Sequence, residues 1–159
     1  MQKLLATITL AMLSLTTFAH SDKELGPNGG RILEFSTDQS MHGEVTLTNG
    51  TFFVALLDKD MKSVPITDQS LTVTGGSRTS PEKPAVEKRG NLFAFPALKG
   101  DSYLLVFQFK PNQTAKPITA RFEYDSAICG TCKKGEWLCD CHLKSKKQNT
   151  GTDKPGAKH

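Results

Sequence analysis

All four cysteines of this 159-residue chain, its single tryptophan and one of its four histidines fall between positions 129 and 142, in the run CGTCKKGEWLCDCH. Cys129 and Cys132 form a CxxC pair, a natural chelating turn, and Cys139 and Cys141 follow as CxC. Four thiolates so close in the chain can close a tetrahedral site for one ion, with His142 as a spare nitrogen ligand. CxxC is the stronger half of a zinc signature, whereas CxC suits a thiolate-rich Cu(I) site equally well. The same letters also allow two other chemistries. In an oxidising compartment they read as disulfides, for which four cysteines permit three connectivities. A Cys139–Cys141 bridge would be strained, so Cys129 or Cys132 joined to the CxC half is the expected pairing. CGTCK also resembles a thiol–disulfide redox motif. That chemistry needs its first cysteine at a helix N-terminus early in a βαβ unit, and here β-type sequence precedes the motif and only 18 residues follow Cys141. Trp137 and Leu138 are expected to pack the cysteine segment onto the rest of the protein.

Compartment decides among these readings, and the N-terminus addresses it. Lys3, the apolar run Leu4 to Leu15 and the small residues at Thr17 and Ala19 have the layout of a secretory signal peptide, with cleavage expected after Ala19. The apolar run is shorter than the roughly 20 residues of a spanning helix, so stable membrane insertion is not expected. The expected location is the bacterial periplasm. Cleavage would leave His20 with a free α-amine, and amine plus imidazole could chelate Cu(II) as a bidentate pair. His42 could add a nitrogen for Cu or Zn, although a histidine beside Met41 at a strand start is more simply a surface residue.

The elements that must position these ligands are strands. RILEFS (31–36), GEVTLTN (43–49), TFFVALLD (51–58), KSVPIT (62–67), SLTVTGG (70–76), AVEKRGNLFAFP (85–96), SYLLVFQFK (102–110) and PITARFEYD (117–125) are short, rich in β-branched and aromatic residues, and separated by Gly, Pro and Asn. Asn49-Gly50 and Arg89-Gly90-Asn91 read as hairpin turns, and residues 75–84 as one extended loop. No segment has a sustained helical period. The expected architecture is all-β: a small antiparallel sandwich of about seven or eight strands over residues 20–128, a Cys-rich knuckle over 129–142, and a disordered tail over 143–159.

The tail holds five lysines against one aspartate, a net +4, and the whole chain carries +4 including Lys3 in the leader. The body is therefore near −1, and the basic balance belongs to the tail. With no basic stripe interleaved with aromatics on the body, a nucleic-acid partner is not expected. No Ser/His/Asp arrangement, paired carboxylates or phosphate-cradling loop points to an enzyme.

GPNGGRILEF at 26–35, MHGEVTL at 41–47 and ALLDKDMKSVPITDQSLTVT at 55–74 together resemble a module of periplasmic adaptor subunits of heavy-metal efflux systems and of small secreted proteins that accompany them. The resemblance covers residues 20 to about 75 and implies a small β-sandwich, a metal-ion ligand and efflux components as partners. Asn28 stands where that family often has histidine, and His20 is the one histidine upstream of the turn. The chain has no long helical hairpin or lipoyl-like region, so the resemblance is to the module and not to a full adaptor. Read without it, Gly26, Gly29 and Gly30 around Pro27 specify a turn with positive φ.

Overall fold

The computed structural model describes residues 24–141. The expected leader, His20, His142 and the lysine-rich tail lie outside them. Ten strands follow in order: β1 (Arg31–Glu34), β2 (Met41–Thr48), β3 (Thr51–Asp58), β4 (Ser63–Val64), β5 (Ser70–Ser77), β6 (Ser80–Glu82), β7 (Glu87–Arg89), β8 (Leu92–Pro96), β9 (Ser102–Lys110) and β10 (Ile118–Asp125). They form two antiparallel sheets, ordered β1-β2-β3-β8-β7 and β10-β9-β5-β6. The outer edge of β3 is divided: Thr51 to Ala55 pair with β8, and Leu56 and Leu57 pair with β4.

The β2–β3 hairpin forms where Asn-Gly places it. Asn49 and Gly50 adopt φ of 49° and 72°, and pairing runs from Thr48↔Thr51 to Met41↔Asp58. A two-residue turn with both φ positive matches the twist of the strands it joins. Period-two alternation then directs side chains inward. Along β9, Tyr103, Leu105, Phe107 and Phe109 are buried; facing them from the other sheet are Phe52, Val54 and Leu56 of β3 with Phe93 and Phe95 of β8. Phe95 meets Phe107 edge-on with centroids 6.0 Å apart, and Phe35 stacks on Phe109 at 4.6 Å. Each such ring contributes about 1.5–3 kcal/mol by leaving water, so the aromatic layer is the main cohesion between the sheets. No helix among the described residues is long and apolar enough to cross a membrane.

The strand count exceeds the seven or eight read from sequence, for two reasons. The expected loop 75–84 contains β6, which folds back on β5 through Gly75↔Glu82 and Ser77↔Ser80; all three β6 residues are exposed, so they carry no apolar alternation to read. Residues 85–96 hold two strands, β7 and β8, on either side of Gly90 at φ 60°. The expected strand at 62–67 shortens to Ser63–Val64.

The GPNGG turn serves a buried charge. Glu44, on β2, is 1% exposed, and its carboxylate accepts hydrogen bonds from Asn28 N and Asn28 Nδ2, both at 2.7 Å, and from Gly30 N at 2.9 Å. Among the three glycines of the turn only Gly29 has positive φ, 73°. Gly26 and Gly30 are needed for close approach instead: a Cβ would lie 2.6 Å from the Glu44 carboxyl carbon at Gly26, and 2.5 Å from Val45 O at Gly30. Hydrogen bonds to a charged acceptor contribute about 1.5–3 kcal/mol each and do not add fully. Glu44→Ala, which strands all three donors, is therefore expected to lower the unfolding free energy by about 3 kcal/mol in urea denaturation, with Glu44→Gln less harmful. A loss under about 1 kcal/mol would mean that water replaces the carboxylate.

Candidate metal centre

After Asp125 the chain turns out of the sheet, with Ser126 N donating to Asp101 O at 2.8 Å. A short hairpin follows. Ile128 and Gly135 form a bridge, Glu136 N donates to Ala127 O at 2.7 Å, and Cys129 N donates to Lys134 O at 2.8 Å. Lys133 N closes the turn on Cys129 O at 3.0 Å, with Lys133 in the left-handed region at φ 61°. That conformation costs a side-chain-bearing residue about 1–2 kcal/mol; here the turn bond and a 2.7 Å bond from Lys133 Nζ to Gly130 O offset it. A single 3-10 turn, Glu136–Leu138, then reverses the chain and returns Cys139 to Cys129.

The result is a four-thiol cluster. The sulfurs of Cys129, Cys132, Cys139 and Cys141 all lie within 4.8 Å of one another. A tetrahedral ion with metal–sulfur bonds of about 2.3 Å needs sulfurs about 3.8 Å apart, so modest side-chain rotation suffices to bind one. No disulfide joins the described cysteines; the sulfurs of Cys129 and Cys139, 3.1 Å apart, are well beyond the roughly 2.05 Å of a disulfide. The cluster is graded in burial. Cys129 is 4% exposed and Cys139 0%, while Cys132 and Cys141 are half-buried.

Donors around Cys129 ready it for ligation. The backbone N–H of Cys132, the thiol of Cys139 and the backbone N–H of Thr131 lower its pKa to about 6. Cys139 donates its proton to Cys129 and is raised in turn. The Cys141 thiol, hydrogen-bonded to Cys132 and partly desolvated, is pushed up to about 12. Cys129 is thus readied to give up its proton near neutral pH. A lowered pKa favours the folded state above the unfolded value of 9.0, and that contribution is lost as pH falls through about 6. The raised Cys141 pKa acts oppositely: its contribution is complete below 9.0 and is lost as pH rises through about 12. Stability of the metal-free knuckle, followed by Trp137 fluorescence during heating, is expected to rise from pH 6 towards 9 and decline beyond it. Cys129→Ser should remove the acid limb; an unchanged profile in that variant would contradict this assignment.

Trp137 anchors the cluster to the sandwich, as expected, and Leu138 packs beside it at the edge of the core. The indole stacks on Phe122 with centroids 5.6 Å apart and meets Phe52 edge-on at 5.9 Å. Arg31, invisible as a site residue in the sequence, reaches from β1 to donate from Nη1 to Trp137 O at 3.0 Å, its guanidinium lying 5.0 Å from the Phe122 ring centre. It lines a cleft of about 380 Å³ together with Glu123, Asp125 and Glu136 and is itself 6% exposed. The one available sequence signal was an arginine directly before the apolar pair Ile32 and Leu33 in β1.

The structure brings together the four cysteines and sets His42 apart from them. His42 is buried on β2, directly across from Glu34 of β1, with Nδ1 3.1 Å from Glu34 Oε1. It is neither at the surface nor a member of the ligand cluster. His20 and His142 lie outside the described residues.

Fold and site together define a two-sheet β-protein whose C-terminal knuckle gathers four thiols that could hold a metal ion. No protein-family model matches the chain, and neither the curated proteins nor the solved structures contain a significant match.

Proposed function

We propose that this chain is an exported, non-enzymatic protein that binds one soft or borderline metal ion, Zn(II) or Cu(I), through Cys129, Cys132, Cys139 and Cys141, and that it serves heavy-metal handling in the periplasm. The observation that carries the metal reading is the convergence of four sulfurs within 4.8 Å. Tetrahedral all-sulfur sites suit these ions, and sulfur ligands select them over hard cations. Export rests on the leader-like N-terminus, and the link to efflux components on the resemblance of the GPNGG region.

The test uses the full chain, expressed with its leader and recovered from the periplasm without reductant. An N-terminus at His20, one equivalent of bound Zn or Cu, and four thiols titratable after chelation under denaturing conditions are expected. Reduced protein titrated with each ion should show thiolate-to-metal absorption saturating at one equivalent. Preference for Cu(I) over Zn(II) would favour handling over a purely structural site.

A second reading has its own observation. Cys129 and Cys139 are in sulfur contact at 3.1 Å, so oxidation between them would leave Cys132 and Cys141 to pair, one of the three possible connectivities. In that case the protein is a disulfide-clamped envelope module. Zero free thiols, no metal, and those two bridges in a peptide map would establish it.

A further inference from the structure

The four cysteines differ in what surrounds them. Cys129 and Cys139 form the floor of the cluster at 4% and 0% exposure, and the chain behind them is tied down: Cys129 N and O both bond within the hairpin, and Cys139 N donates to Glu136 O. Cys132 and Cys141 form its outer side. Next to Cys132 in the chain, Thr131, Lys133 and Lys134 are exposed, and a Cβ built on Gly130 would meet nothing within 4 Å. Among the described residues the approach beside Cys132 is thus exposed and carries two lysines, which favour an incoming anionic donor.

We infer that the bound ion enters and leaves through the Cys132–Cys141 side by direct exchange with an external thiolate, making the knuckle a transfer site and not a closed structural one. The inference rests on the metal-binding reading above. In the exchange, an entering thiol gives up its proton and forms one metal–sulfur bond. The bond to Cys132 or Cys141 breaks, and the departing sulfur takes up that proton. No electron moves; the same one-for-one exchange repeats at the other outer cysteine and then, with two further external thiols, at Cys139 and Cys129, so the ion stays ligated throughout. A closed site, with every thiolate buried, would release its ion only by spontaneous dissociation, at a rate indifferent to the acceptor.

The test is the kinetics of Zn(II) loss from the loaded full chain to a small dithiol, with an aminocarboxylate chelator, a nitrogen and oxygen donor, as comparison. The rate is expected to rise in proportion to dithiol concentration. Cys132→Ser and Cys141→Ser, tested singly, should each retain one ion at saturating Zn(II) and release it faster than wild type, whereas Cys129→Ser and Cys139→Ser should lose stoichiometric binding. Charge reversal at Lys134, which is not a ligand, should slow transfer to the anionic dithiol with the bound stoichiometry unchanged. A loaded protein whose release is independent of dithiol concentration overturns the inference while leaving the metal reading intact. So does equal behaviour of the inner and outer serine variants. Failure of wild type to hold any ion overturns both.

Discussion

Cys139→Ser is expected to weaken metal binding by at least about two orders of magnitude while the two sheets remain folded. Structural Zn(II) sites contribute about 10–16 kcal/mol, so a quarter share is roughly 3 kcal/mol, a factor above a hundred. Cys139 should cost at least its share because its sulfur is fully buried. A serine there leaves a hydroxyl against sulfur neighbours and removes the donor that Cys129 accepts from. The sheets are held separately, by the aromatic layer between β3, β8 and β9, so far-ultraviolet circular dichroism should be unchanged while thiolate-to-metal absorption is lost. Retention of tight, stoichiometric binding would exclude Cys139 as a ligand and break the four-sulfur assignment.

Trp137→Ala is expected to be the most destabilising single change in the knuckle, lowering the unfolding free energy by about 3–5 kcal/mol. The indole is 6% exposed and packs on Phe52, Phe122 and Tyr124, which belong to both sheets. Its removal opens a cavity in the main core and frees the segment that carries Cys129 and Cys139. Two readouts should therefore move together: the denaturation midpoint of the whole chain and the metal affinity. Trp137→Phe, which keeps a stacking ring, should recover part of both. Weakened metal binding at an unchanged midpoint would show that the indole positions the cysteines without supporting the core.

Much of this protein was legible along the chain, and the legible part is the local part. The alternation of Leu71 and Val73 in SLTVTGG became β5 with both residues buried, because a strand's two faces depend only on its own backbone. Asn49-Gly50 became the β2–β3 turn because positive φ is a property of those two residues. The four sulfurs converge because a CxxC turn and a short reversal suffice to fold a segment this short on itself. The exposed strands β6 and β7 were harder to see: pairing through backbone alone leaves no mark on side-chain pattern.

Tertiary structure decided what the local code does not contain. It placed His42 inside, against Glu34, where the sequence suggested a surface residue or a ligand. It gave the glycines of GPNGG their reason, a buried carboxylate 14 residues from Gly30, and it bound Arg31 to a carbonyl 106 residues away. It also ranked four chemically identical cysteines into a buried pair and a half-buried pair. A charge is tolerated in a core only where distant donors converge on it, and a sulfur is buried only by what the rest of the fold brings over it. By itself the sequence determined the strands and the set of candidate ligands; which groups are covered, and which sulfurs an incoming donor can reach, was decided only when the two sheets closed over Trp137.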